Sequence, residues 1–247
     1  MREVGILVRR ELKSYFVSPI AYVFGALFLL VLGYFSAPRM LVEGQPASMQ
    51  TFFGWLPLMF LVFVAPLTMR LWAEERKMGT LELLMTFPVS VPKLIAGKFI
   101  ASLIFLSLVM LLTLGLPLTL SVFGGADGLN FGPVACAYLA SLMLAGSYLA
   151  VGMFCSSLTR DQLVAMLLAL VALLAITLFG DPSFQLQFSS VVPDWLLGAI
   201  NAISPSRYFQ SITRGVLDTR DFVFYICFCG FFLYMNALVL QGRRVRG

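Results

Sequence analysis

The sequence predicts an all-α polytopic membrane protein: an N-terminal amphipathic elbow helix followed by six transmembrane helices. Composition is the first reason. The 247 residues are 60% hydrophobic and 12% charged, with a mean hydropathy of +0.93, whereas a soluble domain is about 45–50% apolar and about 25% charged. That apolar excess cannot be hidden inside a water-soluble globule of this size. The second reason is six mostly apolar runs of about 20 residues, the length a helix needs to cross a bilayer. The third is the placement of Lys and Arg, which is lopsided between alternate loops. Together these exclude a soluble enzyme, a disordered tail and a nucleic-acid-binding domain, and the net charge of +5 is no nucleic-acid footprint.

Residues 1–19 form the elbow. On a helical wheel Val4, Val8, Leu12, Tyr15 and Phe16 fall on one side and Arg2, Arg9, Arg10 and Lys13 on the other, with Ile6 the exception. Such a helix lies in a membrane interface, and Ser18-Pro19 turns it into the first span. No cleavable signal peptide is expected, because the first apolar run is long enough to span. The spans are residues 20–38, 52–71, 95–123, 132–158, 162–180 and 222–241. As helices they satisfy their own backbone hydrogen bonds, which lipid demands. The alternating pattern of a β-barrel is absent.

With both termini inside, the inner segments hold Arg2, Arg9, Arg10 and Lys13; Arg70, Arg76, Lys77, Lys93 and Lys98; Arg160; and Arg243, Arg244 and Arg246. Only Arg39, Arg207, Arg214 and Arg220 fall outside. The expected location is therefore a bacterial cytoplasmic (inner) membrane with both termini cytoplasmic.

No ionisable residue lies well inside any span, so a proton- or sodium-coupled carrier and a stand-alone channel have no obvious working site. There is no histidine to activate a nucleophile or bind a metal. Cys136, Cys155, Cys227 and Cys229 lie in apolar runs without metal-ligand spacing and read as small buried hydrophobes. No phosphate-binding G-x-x-x-x-G-K-[ST] occurs: Gly97-Lys98 is followed by Phe99 and lacks the upstream glycine. The chain is expected to bind no cofactor and to be no enzyme by itself, so energy must enter from a partner.

The cytoplasmic loop of residues 72–92 is where to look. Residues 72–78 suit a short helix ended by Gly79. Thr80 can N-cap a second one carrying Leu81, Leu83, Leu84 and Met85, which Pro88 stops. Ser90 and Pro92 then restart the chain as the third span. Glu75 and Glu82, seven residues apart, share a stripe, and an apolar helix with an acidic stripe suits a groove on a partner. A solvated re-entry turn explains the same charges equally well.

Residues 74–88 (EERKMGTLELLMTFP) resemble the signature loop of ABC-2 type permeases, the membrane subunits of ATP-binding-cassette exporters. Residues 10–19 (RELKSYFVSP) are similar to that family's elbow helix, 156–165 (SSLTRDQLVA) to its link between the fourth and fifth helices, and 214–221 (RGVLDTRD) to the run before its last helix. The gliding-motility-type permeases look nearest, and a copper-related branch next. The resemblance implies a type V exporter-like fold across residues 1–247, paired with a second permease half as a homodimer or with a homologous chain. Two ATPase subunits would consume ATP and Mg below it, and a companion membrane or periplasmic subunit is possible. It further implies that Glu74, Glu75, Arg76, Lys77 and Glu82 meet the ATPase, that Gly79 and Thr80 set the bend, and that Leu81, Leu84 and Met85 anchor the element. Arg160 and Asp161, in the short link at 156–162, form a secondary contact.

Residues 181–221 are the largest outer segment and are expected to form short helices. Pro193-Asp-Trp-Leu-Leu marks one, with Trp195 interfacial, and Ser204-Pro205 opens another. In the latter, Tyr208, Phe209, Ile212 and Val216 share one face, and Arg207 and Arg214 share another. These helices read either as a working element, a gate or lateral exit or a companion-subunit dock, or as a plain lid that closes the outer mouth. Gly25, Gly33, Gly146 and Gly152 are candidate points of close helix approach. Two functions remain in view: ATP-driven export or movement of a substrate, or mechanotransmission to an external or membrane partner with no solute crossing. The nature of the substrate is not written in these residues.

Overall fold

The computed structural model describes residues 2–40, 49–80, 90–123, 131–180, 185, 198, 202–215 and 217–244. Among them there is no strand. The helices described along their length are α1 (Arg2–Val17), α2 (Pro19–Met40), α3 (Gln50–Lys77), α4 (Val91–Leu112), α5 (Gly115–Phe123), α6 (Phe131–Leu158), α7 (Gln162–Phe179), α8 (Pro205–Thr213) and α9 (Thr219–Arg244). Among the described residues, five runs are long and apolar enough to cross a membrane, and α1 with α2, bent by 73° at Ser18, passes jointly as a sixth. The proline after Ser18 marks that bend, as its missing N–H allows.

α6 is the central post. It packs against α3, α4, α7, α8 and α9, and its run from Leu144 to Met153 is buried throughout. Its small residues Ala145, Gly146, Ser147, Ala150 and Gly152 let neighbours approach, which is how membrane helices associate where lipid offers no hydrophobic drive. Gly152 is the tightest point: a Cβ there would lie 2.9 Å from the Cβ of Thr68 on α3. A Cβ on Gly146 or Gly25 would meet only ordinary contacts from 3.7 Å outward, and one on Gly33 would find no atom within 4 Å. The expected close approach is thus real at one of four glycines. α7 and α9 turn most of their apolar surface outward, with Leu163, Leu167, Val171, Val223 and Ile226 exposed, as lipid-facing helices do.

Several expectations change. Residues 72–77 are no separate short helix but the last turns of α3. The third span begins at Val91, not residue 95, and turns at Thr113–Leu114 before continuing as α5. Ser90 stands at its N-cap position with Pro92 in the first turn, as read from the sequence. On α1, Phe16 is exposed, while Leu7 and Glu11 join Val4, Val8, Leu12 and Tyr15 on the packed side. That face is set by α4, whose Gly97 gives Leu7 room: a Cβ on Gly97 would come within 2.9 Å of the Leu7 Cβ. Of the cysteines only Cys155 is buried; Cys136 and Cys229 are half-buried and Cys227 is exposed, because α9 presents that side outward.

Candidate functional site

The site begins with how α3 ends. Gly79 has φ +70°, the left-handed conformation that closes a helix and that a side chain disfavours. The Met78 amide donates to the Glu74 carbonyl at 3.0 Å and the Gly79 amide to Arg76 at 3.3 Å. The Thr80 hydroxyl folds back on the Glu75 carbonyl at 3.2 Å, closing the helix behind it. The helix ends at Lys77, and the expected stripe shared by Glu75 and Glu82 falls partly outside the described residues. Leu81, Glu82, Leu83, Leu84, Met85 and Pro88 lie outside the described residues.

Three neighbours pin this tail. The Ser156 hydroxyl, from α6, accepts from the Trp72 and Ala73 amides at 3.1 and 3.2 Å and donates to the Met69 carbonyl at 3.1 Å. Arg76 donates to the Ser157 and Thr159 carbonyls at 3.1 and 2.7 Å. A cation there meets the negative end of α6. Glu75 accepts from Lys98 of α4 at 2.8 Å, and Lys98 also reaches Glu11 of α1 at 3.2 Å. The Lys98 ammonium stands over the Trp72 ring, 5.2 Å from its centre. The side chains of Lys98, Glu75 and Glu11 are 5%, 13% and 15% exposed, so this is a buried three-charge bridge joining three helices. Beside it Tyr15 hydrogen-bonds Ser102 at 2.9 Å and stacks on Phe105. Burial raises the Tyr15 phenol's pKa and keeps it neutral.

The resemblance implies polar contact with the ATPase for Glu74, Glu75, Arg76 and Lys77; here Glu75 pairs with Lys98 and Arg76 with carbonyls at the end of α6, while Lys77 is exposed. The second expected contact is brought to the first. Thr159, which receives Arg76, directly precedes Arg160 and Asp161, both exposed, and Asp161 caps α7 by accepting from the Leu163 amide at 2.9 Å. Ser156 lies at the start of the link expected as a second contact. The site residues that the sequence reading does not single out are Lys98 and Glu11. Their signals were there: a lysine in the second turn of an apolar span, and a glutamate one step from the apolar stripe of α1.

Along the other half of α6, from Tyr148 toward Pro133, α8 packs with Phe209 and Ile212 buried. Tyr208 stacks on Phe224 with ring centres 4.0 Å apart, while Arg207 and Arg214 are exposed. Ser204 and Pro205 open this helix as the sequence predicts, although the Ser204 hydroxyl donates to the Ile176 carbonyl at 3.4 Å rather than capping its own helix. A hydroxyl chain runs behind it: Tyr148 bonds Thr177 at 2.7 Å and Ser206 at 3.4 Å, and Tyr225 donates to the Pro205 carbonyl at 2.8 Å. Trp195 and Val216 lie outside the described residues.

The family model described as ABC-2 family transporter protein matches residues 23–223. No curated protein matches the chain. The chain belongs to the ABC-2 transporter family and is a multi-pass membrane permease.

Proposed function

We propose that this permease has no motor of its own and is driven by separate ATPase subunits acting on the end of the bundle that holds Glu74–Thr80. The observation that carries the reading is the continuity of α3. Its last two turns leave the apolar part of the span without a break and are fastened to α1, α4 and α6. A push on Glu74, Lys77 or the chain beyond Gly79 therefore moves helices as rigid pieces, instead of bending a loop. Arg160 and Asp161, carried on the same platform, widen the contact. Leu81 and Glu82 continue it. ATP binding drives such a device only if the two bundle arrangements have unequal affinity for the closed ATPase pair.

On this reading both termini and the α3 tail are cytoplasmic, the membrane is the bacterial inner membrane, and a second permease half completes the pathway. Two ATPase chains bind ATP and Mg. The helix at 205–213, with Arg207, Tyr208, Phe209 and Arg214, and the segment around Trp195, close the outer mouth as a gate or partner dock. The activity is export or movement of a substrate across or out of the membrane.

The test is co-purification in mild detergent followed by ATP hydrolysis in reconstituted vesicles. A nucleotide-hydrolysing subunit should accompany the chain, and the paired reversal Glu74→Lys with Lys77→Glu should lower stimulated hydrolysis while the complex stays assembled. Purification without such a subunit, or unchanged hydrolysis in the assembled variant, overturns the proposal.

A further inference from the structure

A cavity of about 350 Å³ opens where α1 turns into α2, bounded on the other side by the last turns of α3. That volume lies within the range of small-molecule sites. Its walls are of two kinds. Arg10, Arg70, Glu74 and Glu75 bring two cations and two carboxylates, and Phe24 and Leu67 supply an apolar flank toward the membrane-spanning part of α2 and α3. Two polar atoms of residues lining it are buried without a hydrogen-bond partner: Nε of Arg70, a donor, and Oε2 of Glu75, an acceptor. Lys98 does not fill either role. Its ammonium is engaged by Glu11 and by the other oxygen of Glu75.

Orphaned buried polar groups are rare and costly. A simple anion would satisfy Arg70 and be repelled by Glu74 and Glu75; a simple cation would do the reverse. A molecule carrying an acceptor anion and an N–H cation a few bonds apart satisfies both, and an attached apolar tail matches the flank. We propose that the cavity binds one aminophospholipid from the leaflet facing α1, its phosphodiester on Arg10 and Arg70, its primary ammonium on Glu74 and Glu75, and its acyl chains along Phe24 and Leu67. The site would tie the elbow to the α3 tail through a lipid. It shares Glu74 with the ATPase reading, but lipid retention is measured on the chain alone with no ATPase present, so the two fail separately.

The experiment is native mass spectrometry of the full chain in mild detergent, offered equal amounts of phosphatidylethanolamine, phosphatidylcholine and phosphatidylglycerol with identical acyl chains. One phosphatidylethanolamine should be retained about tenfold over phosphatidylcholine, whose quaternary ammonium has no N–H to give Glu75, the size expected of one hydrogen bond to a charged group. Phosphatidylglycerol, lacking the ammonium, should fall behind as well. Arg70→Gln should lower retention of all three lipids, which share the phosphodiester, whereas Glu74→Gln should shrink the preference for phosphatidylethanolamine. The comparison of lipids on the unaltered chain stands even if a variant fails to fold. Equal retention of the three lipids, preference for phosphatidylglycerol, a phosphatidylethanolamine preference undiminished in Glu74→Gln, or lipid retention unchanged in Arg70→Gln overturns the assignment.

Discussion

Replacing Lys98 by methionine isolates the energetic role of the three-charge bridge. The ammonium lies 2.8 Å from Glu75 and 3.2 Å from Glu11. At an effective dielectric of about 20, the gross attractions are about 6 and about 5 kcal/mol, and most of this offsets the desolvation of three buried charges. The net worth of the bridge against an apolar replacement is therefore small. Breaking it is another matter. Lys98→Met leaves two carboxylates, only 13% and 15% exposed, facing one another without a cation, and the expected loss is about 3–5 kcal/mol. Glu11→Gln removes the longer and more exposed contact and leaves the 2.8 Å pair intact, for about 1 kcal/mol. The triple variant Glu11→Met, Glu75→Met, Lys98→Met should recover most of the stability, because no charge is then buried alone. Denaturant titration in micelles, read by tryptophan fluorescence, measures all three; Trp72 is fully buried beside Lys98 and reports directly. A Lys98→Met chain within about 1 kcal/mol of the unaltered one, or a triple variant no more stable than Lys98→Met, would refute this account.

Gly152→Ala should destabilise by about 1–3 kcal/mol, because the new methyl meets Thr68, whose hydroxyl already donates to the Val64 and Ala65 carbonyls; Gly146→Ala, with nothing nearer than 3.7 Å, should be close to neutral in the same titration. Gly79→Ala should cost about 1–2 kcal/mol through the backbone alone, since no atom lies within 4 Å of the added carbon, and faster hydrogen exchange at the Met78 and Gly79 amides would register it. In a cysteine-free background, Arg160→Cys and Arg214→Cys, exposed near opposite ends of α6, should label with an impermeant maleimide from opposite sides of sealed vesicles; labelling from one side contradicts the spanning arrangement.

What the sequence carries openly is local. Helix starts at Ser90 and Ser204 are written as a cap followed by an early proline, and the end of α3 as a glycine in a left-handed position. These signals act within a turn of the chain, so they can be read without knowing what packs where. The candidate site was half legible for the same reason. The polar run from Glu74 to Lys77 stands out against apolar spans, but whether a glutamate there points at solvent or at a lysine in the next helix is no property of the run itself.

The amino-acid sequence alone determined that this chain lives in a membrane, roughly where its helices begin and end, and that no charge sits in the middle of a span. Apolar content, length and turn chemistry are additive along the chain. Tertiary structure alone decided that Glu11 and Glu75, 64 residues apart in the chain, close on one lysine, that Gly152 and not Gly33 lets helices touch, and that the two expected contact segments form one platform. Those outcomes depend on helix rotation and spacing around α6, which follow from the packing of all the helices together and from no single stretch of residues.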